Sequence, residues 1–252
     1  MHIPLVNQTQ QEEILSGGRL TGGVVRIGET VRRPANQASG FMALLLNHLQ
    51  ESGFTGAPRY LGRDEKGCDI LTYISGWVPA KFQYFTDAQV SDAAKLLNAF
   101  HTATRDSTLT GDKAVICHHD AGPNNVVFQH ERPVAFIDFD MVAPGDVLED
   151  IGYMAWTWCI SSQPARGPAS LQAKQIRLLA DAYGLCAEER LQMVDAIRER
   201  QTRNIQFWSD RLHKKIVGPV TTEAQIAGRI NWSRRELEYT ESERATFEEA
   251  LR

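Results

Sequence analysis

Hydrophobic and polar positions in the first third of the chain predict strands around one helix. Residues 22–34 hold two β-branched runs separated by a turn at Gly28, which predicts a hairpin. Ser39 is placed to cap a helix over residues 40–52. Residues 56–74 then predict two further strands around a glycine-containing turn. This part of the chain is therefore expected to be rich in β-structure.

The remainder of the chain has mainly helical patterning. Gly76 and Pro79 mark residues 75–80 as a linker between the two parts. Apolar residues at helical spacing predict helices over residues 87–103, 146–161, 169–184, 187–214 and 234–251. The expected plan is α+β: a small β-rich lobe over residues 1–75 and a larger helical lobe over residues 76–252. A cleft between such lobes is a natural ligand site.

Composition narrows the functional classes. The chain of 252 residues has 42% hydrophobic residues, a net charge of −4 and a pI near 6.0, so neither a nucleic-acid partner nor a membrane partner is expected. Its four cysteines are far apart and include no C-x-x-C pair, which argues against a zinc site and a disulfide framework. The N-terminus shows no secretory pattern, and residues 153–160 are too short to span a bilayer. The expectation is a soluble, cytoplasmic protein.

The polar loop within residues 115–128 carries the candidate chemistry. His118, Asp120 and Asn125 stand in the pattern H-x-D-x-x-x-x-N between two apolar runs. Twelve residues separate Asn125 from Asp138, enough for two short strands and a turn. We therefore expect a hairpin that returns Asp138 to the side of Asn125.

Oxygen-bearing side chains in this arrangement suit phosphoryl transfer. Mg²⁺ prefers oxygen ligands, which Asn125 and Asp138 would supply, while Asp120 would orient an acceptor hydroxyl and take its proton. A polar turn whose aspartates cap backbone amides is the plainer alternative, but it does not explain a second aspartate after the next strand. A metal site built on His118 and His119 has no evident third ligand in the sequence. A hydrolase built on His118 and Asp120 is also disfavoured, because the chain has no Ser or Cys nucleophile in a suitable turn.

The wider motif resembles the aminoglycoside phosphotransferase family, which has a protein-kinase-like fold. The likeness extends from the loop to Gly145, Asp146, Asp150 and Ile151, and it includes the branch often labelled trifolitoxin immunity proteins. The resemblance implies a two-lobe kinase-like fold with Asp120 as catalytic base and Asn125 and Asp138 as metal ligands. It also implies that His118 supports the catalytic loop and that Asp150 holds the loop backbone.

The expected nucleotide-binding half departs from the kinase pattern. Gly22 and Gly23, with Gly17 and Gly18 before them, could form the phosphate cover. The third strand has no lysine, so Arg32 or Arg33 must replace it.

The two arginines lie on opposite faces of the predicted strand. Arg33 is slightly preferred, because it shares a face with Val31. The position of the family's glutamate falls near Met42, so the usual lysine–glutamate pair is missing. Backbone groups near Thr72 and Ile74 resemble the purine-binding hinge. Because backbone groups leave no side-chain signature, the sequence does not distinguish ATP from GTP.

The acceptor is expected to be a small hydroxylated molecule. Only eleven residues separate Asp138 from Asp150, too few for a regulated activation segment. Residues 186–252 hold twelve acidic and twelve basic side chains, which does not favour a polycationic acceptor. Two groups of side chains in the helical lobe are candidates for contact with the acceptor. The tryptophans are expected to lie mainly in the core: Trp156, Trp158, Trp208 and Trp232. The arginines are expected to form a solvated face: Arg200, Arg203 and Arg211.

Two functional hypotheses follow from these observations. The first is an Mg²⁺-dependent phosphotransferase that uses ATP or GTP and a small-molecule hydroxyl acceptor. The second is a non-catalytic nucleotide-binding or toxin-immunity module on the same fold, which the missing lysine–glutamate pair favours.

Overall fold

The computed structural model describes residues 12–15, 22–80, 83–214 and 221–252 of the chain. An antiparallel sheet of five strands forms the N-terminal lobe, in the order β1-β2-β3-β5-β4. Its strands are β1 (Glu12–Ile14), β2 (Val25–Ile27), β3 (Thr30–Pro34), β4 (Tyr60–Arg63) and β5 (Cys68–Thr72). Gly17 and Gly18, expected in the phosphate cover, lie outside the described residues.

The predicted N-terminal hairpin is confirmed. Ile27 pairs with Thr30 across a two-residue turn, where Gly28 has a φ of 59° that glycine adopts without strain. Helix α1 (Ser39–Glu51) follows, but Ser39 does not cap it. The Ser39 hydroxyl instead donates to the buried Asp69 carboxylate of β5, so a contact with the sheet replaces the predicted cap.

Helices make up most of the C-terminal lobe. They are α2 (Asp87–Thr104), α3 (Val147–Met154), α4 (Ala169–Tyr183), α5 (Ala187–His213), α6 (Glu223–Ser242) and α7 (Arg244–Leu251). The predicted helix over 146–161 is α-helical only to Met154, after which Ala155–Cys159 form a wider π-type turn. The predicted helix over 234–251 begins at Glu223 instead, and Glu243 separates α6 from α7.

Two short sheets frame the polar loop. Strand β6 (Val115–Cys117) pairs with β9 (Ala143–Gly145), and β7 (Val126–Gln129) pairs with β8 (Arg132–Phe136). The sequence pattern predicted β6, β7 and β8 but not β9. Strand β6 enters the polar loop, and β9 pairs with it in the antiparallel direction. The chain that follows Asp138 is thereby returned to the start of the loop.

The predicted linker is attached to the C-terminal lobe. The Trp77 amide donates to the Phe128 carbonyl at 3.1 Å, and the Phe128 amide donates back at 2.8 Å. Gly76 has a φ of 147°, and a Cβ there would lie 2.4 Å from the Phe128 carbonyl oxygen, so glycine is required at this crossing. The chain between the lobes is thereby fixed to the hairpin that carries the candidate chemistry.

The hydrophobic core continues between the lobes. Leu45 and Leu49 of α1 are fully buried together with Leu97 and Phe100 of α2, and all four belong to one core cluster. Such burial removes apolar surface from water and is the main stabilising term of a fold. None of the helices in the described part of the chain is both long and apolar enough to cross a membrane.

Candidate active site

The predicted return of Asp138 to Asn125 is observed. Val126 pairs with Phe136 in the β7–β8 hairpin, and the Ile137 amide donates to the Asn125 carbonyl at 2.9 Å. Asp138 follows directly and has a φ of 64°, a left-handed conformation that aspartate tolerates better than most residues. The chain therefore leaves the strand at Asp138, whose side chain lines the same cavity as Asn125.

Asp120 is held by hydrogen bonds at both carboxylate oxygens. Asn125 Nδ2 donates to Asp120 Oδ2 at 2.7 Å and to the Asp120 carbonyl at 2.9 Å. The Tyr153 hydroxyl donates to Asp120 Oδ1. Asp120, Asn125 and Asp138, the three predicted oxygen-bearing side chains, thus meet at one end of a cavity.

Sequence reasoning missed Tyr153. Its position in α3, three residues after Asp150, places both side chains on neighbouring positions of one helix. Asp150 was already expected to contact the catalytic loop, so this spacing was the available signal.

Asp150 holds the backbone of the loop, as the resemblance implied. This fully buried carboxylate accepts from the His118 amide at 2.5 Å and from the His119 amide at 2.7 Å. His101 Nε2 lies 3.1 Å from Oδ2, and His101 Nδ1 lies 2.7 Å from the Tyr183 hydroxyl. Burial alone would raise the pKa of Asp150, but the hydrogen bond and charge of His101 outweigh it and hold the pKa well below its usual range.

His118 is placed for support and not for contact with a substrate. Its ring is fully buried, with centroids 5.3 Å from Phe136 and 4.9 Å from Phe139. Burial lowers the pKa of His118, although Asp150, Asp120 and the Ile137 backbone act in the opposite direction. A neutral ring packed between aromatic side chains stabilises the loop from behind.

Beyond Asp120 the site opens into a cavity of about 650 Å³, within the usual range for small-molecule sites. Helices α5 and α6 form one wall of the cavity. The residues that each helix contributes recur every three or four positions, as one face of a helix does: Arg200, Arg203, Asn204, Phe207 and Trp208 from α5, and Gln225, Gly228, Arg229, Trp232 and Arg235 from α6.

This wall corrects the expectation of a solvated face for Arg200, whereas Arg203 is exposed as expected. Arg200 is only 7% exposed, and its Nη2 donates to the His119 carbonyl at 2.8 Å. Arg203 also lines the cavity, while Arg211 stacks over Phe207, with 5.5 Å between guanidinium carbon and ring centroid. Periodicity alone did not show that α6 would cover this side of α5.

The tryptophans divide into two groups. Trp156 and Trp158 are buried in the core, as expected. Trp208 and Trp232 line the cavity, and Trp232 stacks on Trp156 with ring centroids 4.7 Å apart and planes 16° apart. Trp208 is nevertheless only 6% exposed and belongs to a core cluster with Ile226 and Ile230, so Trp232 is the indole with more surface toward the cavity.

On the side of the N-terminal lobe, Arg33 reaches across the cleft. It is 6% exposed and forms an ion pair with Asp140, two residues after Asp138. Arg33 Nη1 lies 3.8 Å from the sulfur of Met42. Met42 therefore faces this strand from the helix position where the family has its glutamate. Arg33 thus pairs with the C-terminal lobe and not with α1.

The other predicted nucleotide contacts lie apart from this cavity. Arg32 points to the opposite face and lies 3.8 Å from Asp64. Gly22 and Gly23 precede β2, where Gly23 has a φ of 77°. The Thr72 amide already donates to the Arg59 carbonyl at 2.9 Å and cannot also meet a purine.

Ile74 remains available at the hinge. Its backbone makes no hydrogen bond within the part of the chain that the structure describes.

The oxygen donors fit a hard divalent cation better than the thiol clusters fit a soft one. Asn125 and Asp138 present amide and carboxylate oxygens to the cavity, the donor set that Mg²⁺ prefers. Cys117 also lies within reach of His119 and Glu149, but burial raises the pKa of its thiol, which disfavours a thiolate ligand. Glu149 is moreover engaged by Arg203 at 2.7 Å.

Comparisons with known proteins show the family and the fold. A model of the phosphotransferase enzyme family matches residues 28–188. A trifolitoxin immunity protein from Rhizobium leguminosarum bv. trifolii is 29% identical over 269 residues, which cover 94% of this chain and 97% of that protein.

Solved structures show the same fold at low identity. A choline/ethanolamine kinase family protein from Mesorhizobium loti has a TM-score of 0.64 and 17% identity, covering 99% of this chain and 95% of that one. An ADP-bound aminoglycoside phosphotransferase has a TM-score of 0.59 and 15% identity, covering 96% and 95%. The predicted kinase-like fold, with a β-sheet lobe and a helical remainder, is confirmed.

Proposed function

The chain belongs to the phosphotransferase enzyme family, and we propose that it transfers the γ-phosphoryl group of ATP to a hydroxyl of a small molecule. One observation carries this proposal. Asp120, Asn125 and Asp138 meet at one end of a cavity of about 650 Å³. Phosphoryl transfer needs little covalent chemistry from the protein beyond positioning and charge stabilisation, which this arrangement can supply.

Asp120 acts as the base in this proposal. The acceptor oxygen forms a bond to the γ-phosphorus, the bond from that phosphorus to the β–γ bridging oxygen breaks, and ADP leaves. The acceptor proton passes to Asp120. The hydrogen bonds from Asn125 and Tyr153 orient the Asp120 carboxylate before the substrate arrives, so no reorganisation is required during the reaction.

Asn125 and Asp138 would hold Mg²⁺. The ion would neutralise charge on the transferred phosphoryl group. Asn125 Oδ1 already accepts from Asn124 Nδ2 at 2.9 Å, and its second lone pair is free to serve as a ligand. Asp138 is exposed to the cavity and supplies a charged ligand beside it.

The nucleotide would lie between the lobes. Arg33 is the best placed cation for its phosphates, since it crosses the cleft to Asp140 beside the metal ligands. Gly22 and Gly23 would cover the phosphates, and the free backbone of Ile74 would meet the purine. Arg32 and Thr72 are less suited, because the first faces Asp64 and the second has its amide engaged.

The site would be assembled at all times. The segment between Asp138 and Asp150 is used by β9 and the start of α3, and Asp150 fixes the loop from within the core. No part of this segment is left as a long loop that phosphorylation could order.

Binding of ATP tests the nucleotide assignment. Thermal unfolding should shift upward with ATP only when Mg²⁺ is present, and Asp138→Ala should remove the shift. Asp112→Ala changes an exposed aspartate that does not line the cavity and is the matched control. A wild-type protein that responds to no nucleotide would contradict the proposal.

Turnover tests the base. Asp120→Asn should lose phosphoryl transfer to an acceptor, and it should also lose any slow hydrolysis of ATP. It should keep most of its affinity for Mg²⁺ and ATP. Equal activity in Asp120→Asn and wild type would refute the assigned role.

The name of the trifolitoxin immunity relative and the Arg33–Met42 contact favour a second candidate function. In that case the protein would bind a nucleotide without transferring phosphate. Nucleotide binding with no turnover in the wild-type protein, across a broad panel of hydroxylated acceptors, would select this alternative.

A further inference from the structure

The acidic and the basic residues that line the cavity come from different elements of the fold. Its acidic lining residues, among those that the structure describes, are Asp120, Asp138 and Asp140, all at the catalytic end. The lining on α5 and α6 contains four arginines and no acid within the same described set: Arg200, Arg203, Arg229 and Arg235. Four arginines in the lining of the cavity are the opposite of what a polycationic acceptor requires.

Only some of these arginines are neutralised. Arg203 binds Glu149 at 2.7 Å and Glu199 at 2.6 Å. In the described parts of the chain no carboxylate lies within 4.0 Å of Arg200 or Arg235.

Arg200 is 93% buried, by its 7% exposure, and its Nε has no acceptor among the described residues. A buried guanidinium without an anionic partner is costly, and a bound anion would remove that cost.

Flat apolar surfaces lie beside the cationic groups. The guanidinium of Arg229 stacks over Trp208 at 4.3 Å, and Trp232 is held rigid by its stack on Trp156 at 4.7 Å. Both indoles line the cavity. Rigid aromatic faces bind planar or apolar groups with little loss of side-chain freedom.

We propose that the acceptor is an anionic hydroxylated molecule with a flat or apolar body. Its hydroxyl would face Asp120, its body would lie against Trp232 and the stacked pair of Arg229 and Trp208, and its anionic group would meet Arg235 and Arg200. A carboxylate or a phosphate satisfies this description, because a guanidinium fork matches either. The inference rests on the proposed function for the position of the hydroxyl, but the anion site stands on the cavity itself.

Matched probes that differ only in charge test the site. They are 4-(hydroxymethyl)benzoate, 4-(hydroxymethyl)benzamide and 4-(hydroxymethyl)benzylamine, with 4-(hydroxymethyl)phenylphosphonate as the phosphate counterpart. Binding is followed by ligand-observed NMR titration in the presence of Mg²⁺ and a non-hydrolysable ATP analogue. At least one anionic probe should bind at least about tenfold tighter than the amide, and the amine should bind most weakly.

Two neighbouring arginines of α6 provide a matched pair of variants. Arg235 lines the cavity, whereas Arg234 is exposed and does not. Arg235→Glu should abolish or invert the preference for anions, and Arg234→Glu should leave it within about twofold of wild type. Because Arg235 is exposed, its replacement should not prevent folding.

The outcomes separate this inference from the proposed function. Equal affinities for all probes, tighter binding of the amine, or no probe binding to a protein that binds the ATP analogue would overturn the anionic acceptor while leaving phosphotransfer standing. Failure to bind the analogue, with anion preference intact, would overturn only the proposed function. The same loss of preference in Arg234→Glu and Arg235→Glu would also overturn the site.

Discussion

The attachment of the catalytic loop to Asp150 gives the sharpest stability prediction. Asp150→Asn keeps the size of the side chain but removes its charge. The aspartate accepts from two backbone amides, at 2.5 and 2.7 Å, and from His101 at 3.1 Å, in a fully buried position. Asparagine has one oxygen acceptor, so its amide group must face at least one of these donors.

The magnitude follows from these contacts. Each hydrogen bond to a charged group contributes about 1.5–3 kcal/mol, and a buried donor left without a partner costs about 1–3 kcal/mol. Asp150→Asn removes the charge that strengthens the hydrogen bonds from the backbone amides, and it also removes one of the oxygen acceptors. We therefore expect the substitution to lower the free energy of unfolding by about 3–5 kcal/mol. That is a large part of the roughly 5–15 kcal/mol typical of a folded domain.

Urea unfolding at pH 7 measures this change. Asp181→Asn is the control, because Asp181 is an exposed carboxylate paired with Arg177 at 2.8 Å, and its loss should cost less than about 1 kcal/mol. A cost for Asp150→Asn no larger than that of the control would show that the loop is held by its aromatic packing and not by the carboxylate.

The pH dependence provides a second check on Asp150. Its pKa is lowered in the folded protein, so its stabilising contribution is present above the unfolded value, near 3.9, and is lost as the pH falls toward the folded value. Wild type should therefore lose more stability than Asp150→Asn when the pH is lowered from about 5 to about 3. Parallel pH profiles for the two proteins would contradict the assignment.

Three further predictions concern other contacts. Gly152→Ala should lower the free energy of unfolding by about 1–3 kcal/mol, because its Cβ would lie 2.6 Å from a carbonyl oxygen of α5. Gly40→Ala, with open space around it, should raise the free energy of unfolding by about 0.5–1 kcal/mol. Urea unfolding measures both changes, and changes of the same sign in the two variants would refute the packing argument. Tyr153→Phe should lower kcat about tenfold with ATP affinity unchanged, since it removes one hydrogen bond to the base, and an unchanged kcat would refute that orienting effect. Arg33→Met should cost about 2–4 kcal/mol and weaken ATP binding, whereas Arg32→Met should cost less than about 1 kcal/mol, and equal costs would argue against the bridge across the cleft.

Local sequence patterns determined much of the fold and the meeting of the predicted oxygen-bearing side chains. Alternation and turn residues predicted the N-terminal hairpin, and the count of twelve residues predicted the return of Asp138 to Asn125. These features depend on neighbours in the chain, because strand pairing through a short turn sets its own register. The family motif then predicted that Asp150 would bind the loop backbone.

Tertiary packing decided what local patterns could not. The sequence predicted that Met42 would replace the usual acid, but only the folded lobes show that Arg33 pairs with Asp140, which is 107 positions away. Tyr153 meets Asp120 because α3 packs beneath the loop, and Ser39 binds the sheet in place of capping its helix.

The cavity wall that α5 and α6 form was also a tertiary result. The even count of twelve acidic and twelve basic residues in the C-terminal part gave no sign of it, because charge counting does not record which side of a helix faces a cavity. Only the packing of α6 against α5 brings Arg200 and Arg235 into the lining of one cavity with Asp120. Local order in the chain thus determined which predicted side chains meet, and the packing of distant helices decided which side chains line the cavity beside them.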